Sequence, residues 1–270
     1  MASAPRDPAI AGEYDRNAEA YDDAAAFNAM AARRLVASVP PGDYADVLDV
    51  GCGTGLAALA MIRRFPVRSV TGLDISQGML ARFREKLAAH PEVRATLVAG
   101  DVATAPIQPA SADAALCSMA LHWFPDRRGA VVGMGRALRP GGVLALVAPG
   151  PDHDREYVEV LRRVRPRVPD PVVDIFGQAA QHPDAVEGHL AAAGLQPIDL
   201  WVEVRRRRVP PERYMARIRA VGSHVWAELM EPPEQAAMLR RIERALRAAS
   251  GPRGWEYTFT KLFAVARRPD

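Results

Sequence analysis

Along the first 150 residues, short apolar runs rich in β-branched side chains alternate with stretches whose apolar positions recur every three or four residues. The runs are ADVLDV (45–50), RSVTGLD (68–74), ATLVAGD (95–101), ADAALCS (112–118) and GVLALVAP (142–149); helical patterns begin near Leu56 and Ser76, and another covers about 126–138. Strand and helix in strict alternation mean parallel strands joined by crossover helices, hence an open doubly wound α/β sheet. In such a sheet ligands bind beyond the carboxyl ends of the strands.

The last third loses this rhythm. Residues 151–182 are rich in Pro, Arg and Asp with weak periodicity, and a helix and a strand resume over about 184–205. PPERYMARIRAVGSHVW and PPEQAAMLRRIERALRAA then predict two helices, each opening on Pro-Pro-Glu, a good helix start. WEYTFTKLFAVARR alternates and closes the chain as a final strand.

Composition narrows the setting more than the chemistry. The 270 residues allow one large α/β domain or an ordinary one with a substrate-binding elaboration. Charge is nearly balanced, 15 basic against 15 acidic side chains up to residue 150 and 20 against 17 after it, which predicts no nucleic-acid partner. Only Lys86 and Lys261 are lysine, a bias that looks genomic rather than functional. Cys52 and Cys117 supply neither a disulfide framework nor metal-ligand spacing, so no metal is expected and a reducing, cytoplasmic setting is. MASAPRDPAI lacks the charged-then-apolar pattern of a signal peptide, and no run reaches the roughly 18 apolar residues of a membrane span, so no membrane partner is expected.

The chemistry concentrates at VLDVGCGTG (47–55), where an acid inside an apolar run precedes three glycines in five positions. A strand that enters such a turn and then a helix lets a ligand approach the backbone closely. Dinucleotide turns read G-x-G-x-x-G, whereas Leu56 stands where the third glycine is needed here, so NAD is the weaker reading. Asp74 closes the second strand 19 residues after Gly55, placed to accept from ribose hydroxyls, and Asp101 closes the third, placed for an amine edge such as adenine's.

With VLDVGCGTG, GLDIS, AGDVA and ALRPGGVLALVAP in order, the chain resembles the class I S-adenosylmethionine-dependent methyltransferases of the small-molecule subgroup, over roughly residues 10–150 and again at the terminal strand. The resemblance implies a Rossmann-like seven-stranded sheet with its last strand antiparallel, plus helical lid insertions. It divides the chain into N-terminal lid helices (1–40), a cofactor-binding core (41–150), a substrate-lid insertion (151–182), a core helix and strand (183–205), a helical insertion (206–254) and a terminal strand (255–270). It also implies S-adenosyl-L-methionine as cofactor. Asp49, Gly51, Cys52 and Gly53 would surround its methionine part, Asp74, Ile75 and Met79 its ribose and adenine, and Asp101 and Val102 its adenine, with Ser118 at the fourth strand end. The segment YDRNAEAYDD resembles the subgroup's lid helix, which implies Tyr14 and Tyr21 near the sulfonium, Tyr14 as a cofactor contact and Tyr21 as a catalytic residue.

Acceptor residues are harder to read. SMALHWF (118–124) follows the fourth strand, where the family varies with substrate, and a similar His-Trp strand end occurs in methyltransferases acting on small carboxylic acids. His122 is the candidate base or substrate ligand; Trp123 either faces the substrate or packs the next helix onto the sheet. Trp226 is a further substrate candidate, although His224 and Trp226 read first as an apolar helix face. Asp152, His153 and Asp154 read as a solvated loop, and Arg162–Arg167 and Arg205–Arg208 as solvated faces; His90, His182 and His189 read as surface residues. The expected activity is methyl transfer to oxygen or carbon of a small molecule, by a monomer or homodimer. A protein that keeps the cofactor structurally and catalyses a cyclisation is the alternative.

Overall fold

The computed structural model describes residues 11–12, 14–16, 18–19, 21–24, 26–100, 105, 107–164, 181–221 and 231–270. Two helices, α1 (Tyr21–Ala24) and α2 (Ala26–Ser38), precede an alternating run: β1 (Asp46–Val50), α3 (Leu56–Arg64), β2 (Ser69–Asp74), α4 (Gln77–Leu87), β3 (Arg94–Ala99), β4 (Ala112–Ser118), α5 (Arg127–Ala137) and β5 (Leu138–Pro149). Then come α6 (Arg155–Val164), α7 (Pro183–Ala192), β6 (Gln196–Val209), α8 (Pro211–Val221), α9 (Pro232–Ala249) and β7 (Trp255–Arg267).

One seven-stranded sheet results, ordered β3-β2-β1-β4-β5-β7-β6. β1 to β5 pair in parallel, and β7 runs antiparallel between β5 and β6. Both faces are covered, so the central strands are apolar on consecutive positions rather than alternate ones. Val47, Val70 and Leu116 pack against Leu35 of α2, Leu59 of α3 and Phe83 of α4. Leu48, Cys117 and Leu144 face the other way, onto Met134 of α5 and Leu190 of α7. Local chemistry sets the helix starts: Ser76 accepts from the Met79 N–H, Asp126 from the Gly129 N–H, and prolines open α7 and α9.

Two boundaries differ from the sequence expectation. β5 begins at Leu138, not at 142, because RPGG forms a bulge rather than a break: pairing shifts between Ala112 and Ala114, and Gly141 takes φ 74°. β6 runs on to Val209 instead of yielding to helix at 206. Residues 255–260 of β7 pair only with β6, so the two strands extend past the sheet as a ribbon. Arg205–Arg208 therefore lie on an edge strand, where charge discourages pairing with another chain.

The ribbon carries a core of its own. Trp255, Tyr257 and Phe259 pack with Tyr157 and Leu161 of α6, Tyr214 and Met215 of α8, and Ile242 and Leu246 of α9. The helices that interrupt the alternation are thus anchored to an aromatic strip at the carboxyl edge of the sheet. No helix among the described residues is long and apolar enough to cross a membrane.

Candidate active site

The turn after β1 forms the floor of the site. Gly51 has φ 66°, and a Cβ there would come within 2.3 Å of the Ala120 Cβ, so only glycine fits. Gly53 has φ 52° and nothing within 4 Å of where its Cβ would be; that open side is where a ligand can reach the backbone. The Gly53 N–H donates to Asp74 Oδ2 at 2.8 Å and the Ser76 N–H to Asp74 Oδ1 at 2.9 Å, so Asp74 braces the turn from the end of β2.

Asp49 lies beneath the turn, 1 % exposed. Its Oδ2 accepts from the Ala58 N–H at 3.1 Å, while its buried Oδ1 has no hydrogen-bond partner among the described residues. Burial, reinforced by the charge of Asp74, pushes its pKa up to about 7 against the pull of the Ala58 bond. A carboxylate with one bare buried oxygen suits a cationic ligand group, since its desolvation is offset only by pairing.

Above the floor is a cleft of about 100 Å³. Tyr14, Tyr21, Gly51, Cys52, Gly53, Asp74, Ile75, Met79, Ser118 and Trp123 all line it, so the structure brings together most of the residues singled out from the sequence. The Tyr14 ring stands edge-on to Tyr21 at 6.0 Å and to Trp123 at 6.4 Å. Trp123 thus belongs to the cleft wall. His122 does not line the cleft; its ring lies 4.7 Å from that of Trp123 on the same 3₁₀ turn. Asp101, Val102, His224 and Trp226 lie outside the described residues.

Several wall residues were not legible in the sequence. Asn28 of α2 is 7 % exposed, lines the cleft, and donates from Nδ2 to the Tyr21 hydroxyl at 3.0 Å. Burial pushes Tyr21 up to about 12 despite that bond, so its phenol stays neutral at physiological pH. Met119 and Phe124 complete the wall, and Met119 holds φ 58°, unusual for a residue with a side chain.

The N-terminal segment is fastened to the rim at two points. Asp15 Oδ1 accepts from the Ser76 hydroxyl at 2.6 Å and the Gly78 N–H at 2.7 Å, at the start of α4. Asp22 accepts from the Thr54 hydroxyl at 2.6 Å and pairs with Lys86, whose ammonium also donates to the Thr54 carbonyl at 3.1 Å. Asp15→Ala combined with Asp22→Ala is therefore expected to speed cofactor dissociation about tenfold or more, two charge-assisted contacts being removed. Stopped-flow tryptophan fluorescence measures this, and an unchanged rate would show that the segment is no roof.

His153 and Asp154 correct the solvated-loop reading, whereas Asp152 is exposed as expected. Asp154 is 2 % exposed and accepts both nitrogens of the Arg217 guanidinium, at 3.2 and 2.7 Å. His153 Nδ1 lies 2.7 Å from the Thr260 carbonyl oxygen and 3.1 Å from the Thr260 nitrogen, and its Nε2 is 3.5 Å from Asp154 Oδ2. Burial holds His153 neutral, with a pKa pushed down to about 3. Burial works to raise Asp154, but the Arg217 charge outweighs it and holds the carboxyl below its ordinary value. The positive φ of Asp152 and Asp154 turns the loop inward, and neither value was readable from composition.

Comparison with known proteins agrees with this geometry. The methyltransferase domain family matches residues 47–142. The malonyl-[acyl-carrier protein] O-methyltransferase of Dechloromonas aromatica is 31 % identical over 269 residues, 98 % of this chain and 95 % of that protein. The trans-aconitate 2-methyltransferase of Azoarcus is 30 % identical over 246 residues, 88 % of this chain and 93 % of that protein. A solved protein of Bacillus halodurans C-125 shares the fold at a TM-score of 0.61 with 19 % identity, over 88 % of this chain and 99 % of that one. A glycine turn braced by Asp74 over a buried Asp49, in a sheet of this order and with relatives of this similarity, places the chain in the S-adenosylmethionine-dependent methyltransferase family.

Proposed function

We propose that this methyltransferase moves the methyl group of S-adenosylmethionine onto a carboxylate oxygen of a small organic acid. The observation that carries the reading is the protonation chemistry of the cleft wall. Burial raises Tyr21 to about 12, and burial with the charges of Asp49 and Asp74 holds the Cys52 thiol well above its ordinary value. Asp74 is engaged by two backbone N–H groups, and His122 is not on the wall. An alcohol or carbon acid must lose a proton to react, and no side chain on the described wall is poised to take one near neutrality. A carboxylate is already ionised. The two relatives support the reading, since malonyl and aconitate groups both carry carboxylates.

Within this reading the cofactor, when bound, supplies an electrophilic methyl on a sulfonium. Asp49 Oδ1, beneath the turn, would be the counter-charge for its amino group, the open turn at Gly53 would take its carboxylate end, and Asp74 would turn its remaining lone pairs to the ribose. Tyr14, Tyr21 and Trp123 wall off water, and Asn28 fixes the Tyr21 phenol so that its proton points elsewhere than to Asn28. Catalysis then rests on alignment, for which effective molarities of about 10⁵ to 10⁸ M show what positioning supplies.

Methyl-labelled cofactor incubated with a series of organic acids tests the proposal. The label should move into a base-labile ester with release of the demethylated cofactor, and His122→Ala should leave the pH–rate profile in place. Label recovered in an ether or amine, or a rate that loses its basic limb in His122→Ala, would overturn it. An acid or polyene rearranged with the label still on the cofactor would establish the cyclisation alternative instead.

A further inference from the structure

On one face of β7 the residues Trp255, Tyr257, Phe259, Phe263 and Val265 are buried and apolar, and Lys261 interrupts them. It is 4 % exposed, and it is one of two lysines in a chain whose other 33 basic residues are arginine. Its ammonium lies 2.8 Å from Met119 Sδ, 4.7 Å from the Phe259 ring centroid and 5.9 Å from that of Phe27. No carboxylate among the described residues pairs with it. Asp154 is close enough to act electrostatically, but both its oxygens are taken by Arg217, and His153 is neutral. Two buried cations thus share one anion.

Lys261 faces a second cavity, of about 220 Å³. Phe27, Arg33, Arg34, Arg205 and Arg207 line it with Lys261, and its one acid, Glu203, is engaged by Arg34 at 2.8 Å and Arg205 at 3.2 Å. The cavity backs onto the cofactor cleft: Met119 lines the cleft while its sulfur touches Lys261, and the adjacent residues Asn28 and Phe27 line the cleft and the cavity respectively.

We propose that this second cavity is an anchor site for a carboxylate of the acceptor that is held, not methylated, with Lys261 as its buried counter-ion. The inference rests on the carboxylate-acceptor reading above and deepens it: the acceptor carries at least two acid groups, one paired with Lys261 and one presented to the cleft. A carboxylate paired with an ammonium has its lone pairs engaged and is the poorer nucleophile, so the anchored group and the reacting group are different. Between the Phe27 and Phe259 rings lysine suits the place better than arginine, because a compact ammonium pairs with one oxygen without needing a fork of acceptors. Burial pushes the free Lys261 ammonium well below its ordinary value, with Arg217 adding to the effect, so an incoming anion supplies what the folded chain does not.

Calorimetry with straight-chain dicarboxylic acids and their dimethyl esters, in the presence of demethylated cofactor, tests the site. The wild type should bind a diacid about 10- to 100-fold more tightly than its diester. Lys261→Met should erase that difference while the melting temperature stays level or rises, because an apolar residue of similar length replaces an uncompensated charge. Lys261→Arg should recover part of the preference. A preference retained in Lys261→Met, an affinity loss accompanied by a drop in melting temperature that Lys261→Arg fully repairs, or no diacid binding by the wild type would each overturn the site. Turnover separates this from the function itself. Diacids that bind through Lys261 yet accept no methyl label overturn the carboxylate reading and leave the site standing; diacids methylated equally by wild type and Lys261→Met overturn only the site.

Discussion

Asp154→Asn is expected to lower the free energy of unfolding by about 3 to 5 kcal/mol, the cost of leaving a buried charge without its partner. In a chain of this size that is a fall in melting temperature of roughly 6 to 20 °C. Asp154 is 2 % exposed and is the one carboxylate among the described residues that pairs with the Arg217 guanidinium, which sits among the rings of Phe27, Tyr214, Tyr257 and Phe259 at 5.1 to 5.7 Å. Those rings soften the penalty for the cation but carry no negative charge. Adding Arg217→Met should recover much of the loss, because the double variant has no orphaned charge. Thermal unfolding of the wild type and the two variants measures both effects. Equal stability in Asp154→Asn and wild type would show that the pair contributes nothing.

The same cluster makes the protein acid-labile. The folded pKa of Asp154 lies below its ordinary value, so its stabilisation is present above that value and is lost as pH falls through the folded one. His153 adds in the same direction: the unfolded chain takes up a proton near 6.5, whereas the folded ring resists it down to about 3, so stability declines as pH falls across that window. His153→Gln should flatten that part of the pH–stability curve.

Asp49→Asn is the second large effect expected, a loss of roughly 10- to 100-fold in cofactor affinity, as one hydrogen bond to a charged group is removed. The exchange keeps the shape and leaves an oxygen for the Ala58 N–H, so affinity should change without the fold. The sign of the pH effect supplies an internal control. The folded pKa of Asp49, about 7, lies above its ordinary 3.8, so in the absence of ligand the wild type loses stability as pH rises towards and through 7. Asp49→Asn has no such loss and should be at least as stable as wild type at pH 8. Below pH 7, pairing with a cation should expel the Asp49 proton, so proton release on binding, read by calorimetry in buffers of different ionisation enthalpy, should disappear in the variant. Unchanged affinity in Asp49→Asn would remove Asp49 from the cofactor's contacts.

Much of the site was legible because it depends on residues close in sequence. The turn at 51–55 and the acids at strand ends are local features: a strand, a glycine turn and a helix dictate where Asp49, Gly51, Gly53 and Asp74 fall, and period-2 and period-3.6 patterns locate the elements on either side. The seven strands and the antiparallel β7 came from the family resemblance, and the structure agrees; their order was first seen in the structure. His122 is the instructive contrast. Adjacent in sequence to Trp123, it shares a 3₁₀ turn with it, and only the packing of that turn decides that Trp123 faces the cleft while His122 does not.

What the sequence by itself determined was the alternating α/β core and the glycine turn above Asp49, which follow from short-range periodicity and from the one residue type that fits at Gly51; the family's chemistry came from the resemblance carried by four motifs in order. Tertiary structure decided the rest. It brought Asp15 and Asp22 onto the rim, set Asn28 behind Tyr21, buried Asp154 against Arg217 across 63 residues, and put Lys261 against Met119 across 142. The physical reason is that a charged residue in a sequence reads as solvated by default, since burial costs several kcal/mol per ion. Whether another element arrives to share that cost depends on how β6 and β7 outrun the sheet and gather α6, α8 and α9 around them, a long-range arrangement with no signature in the residues next to Asp154 or Lys261.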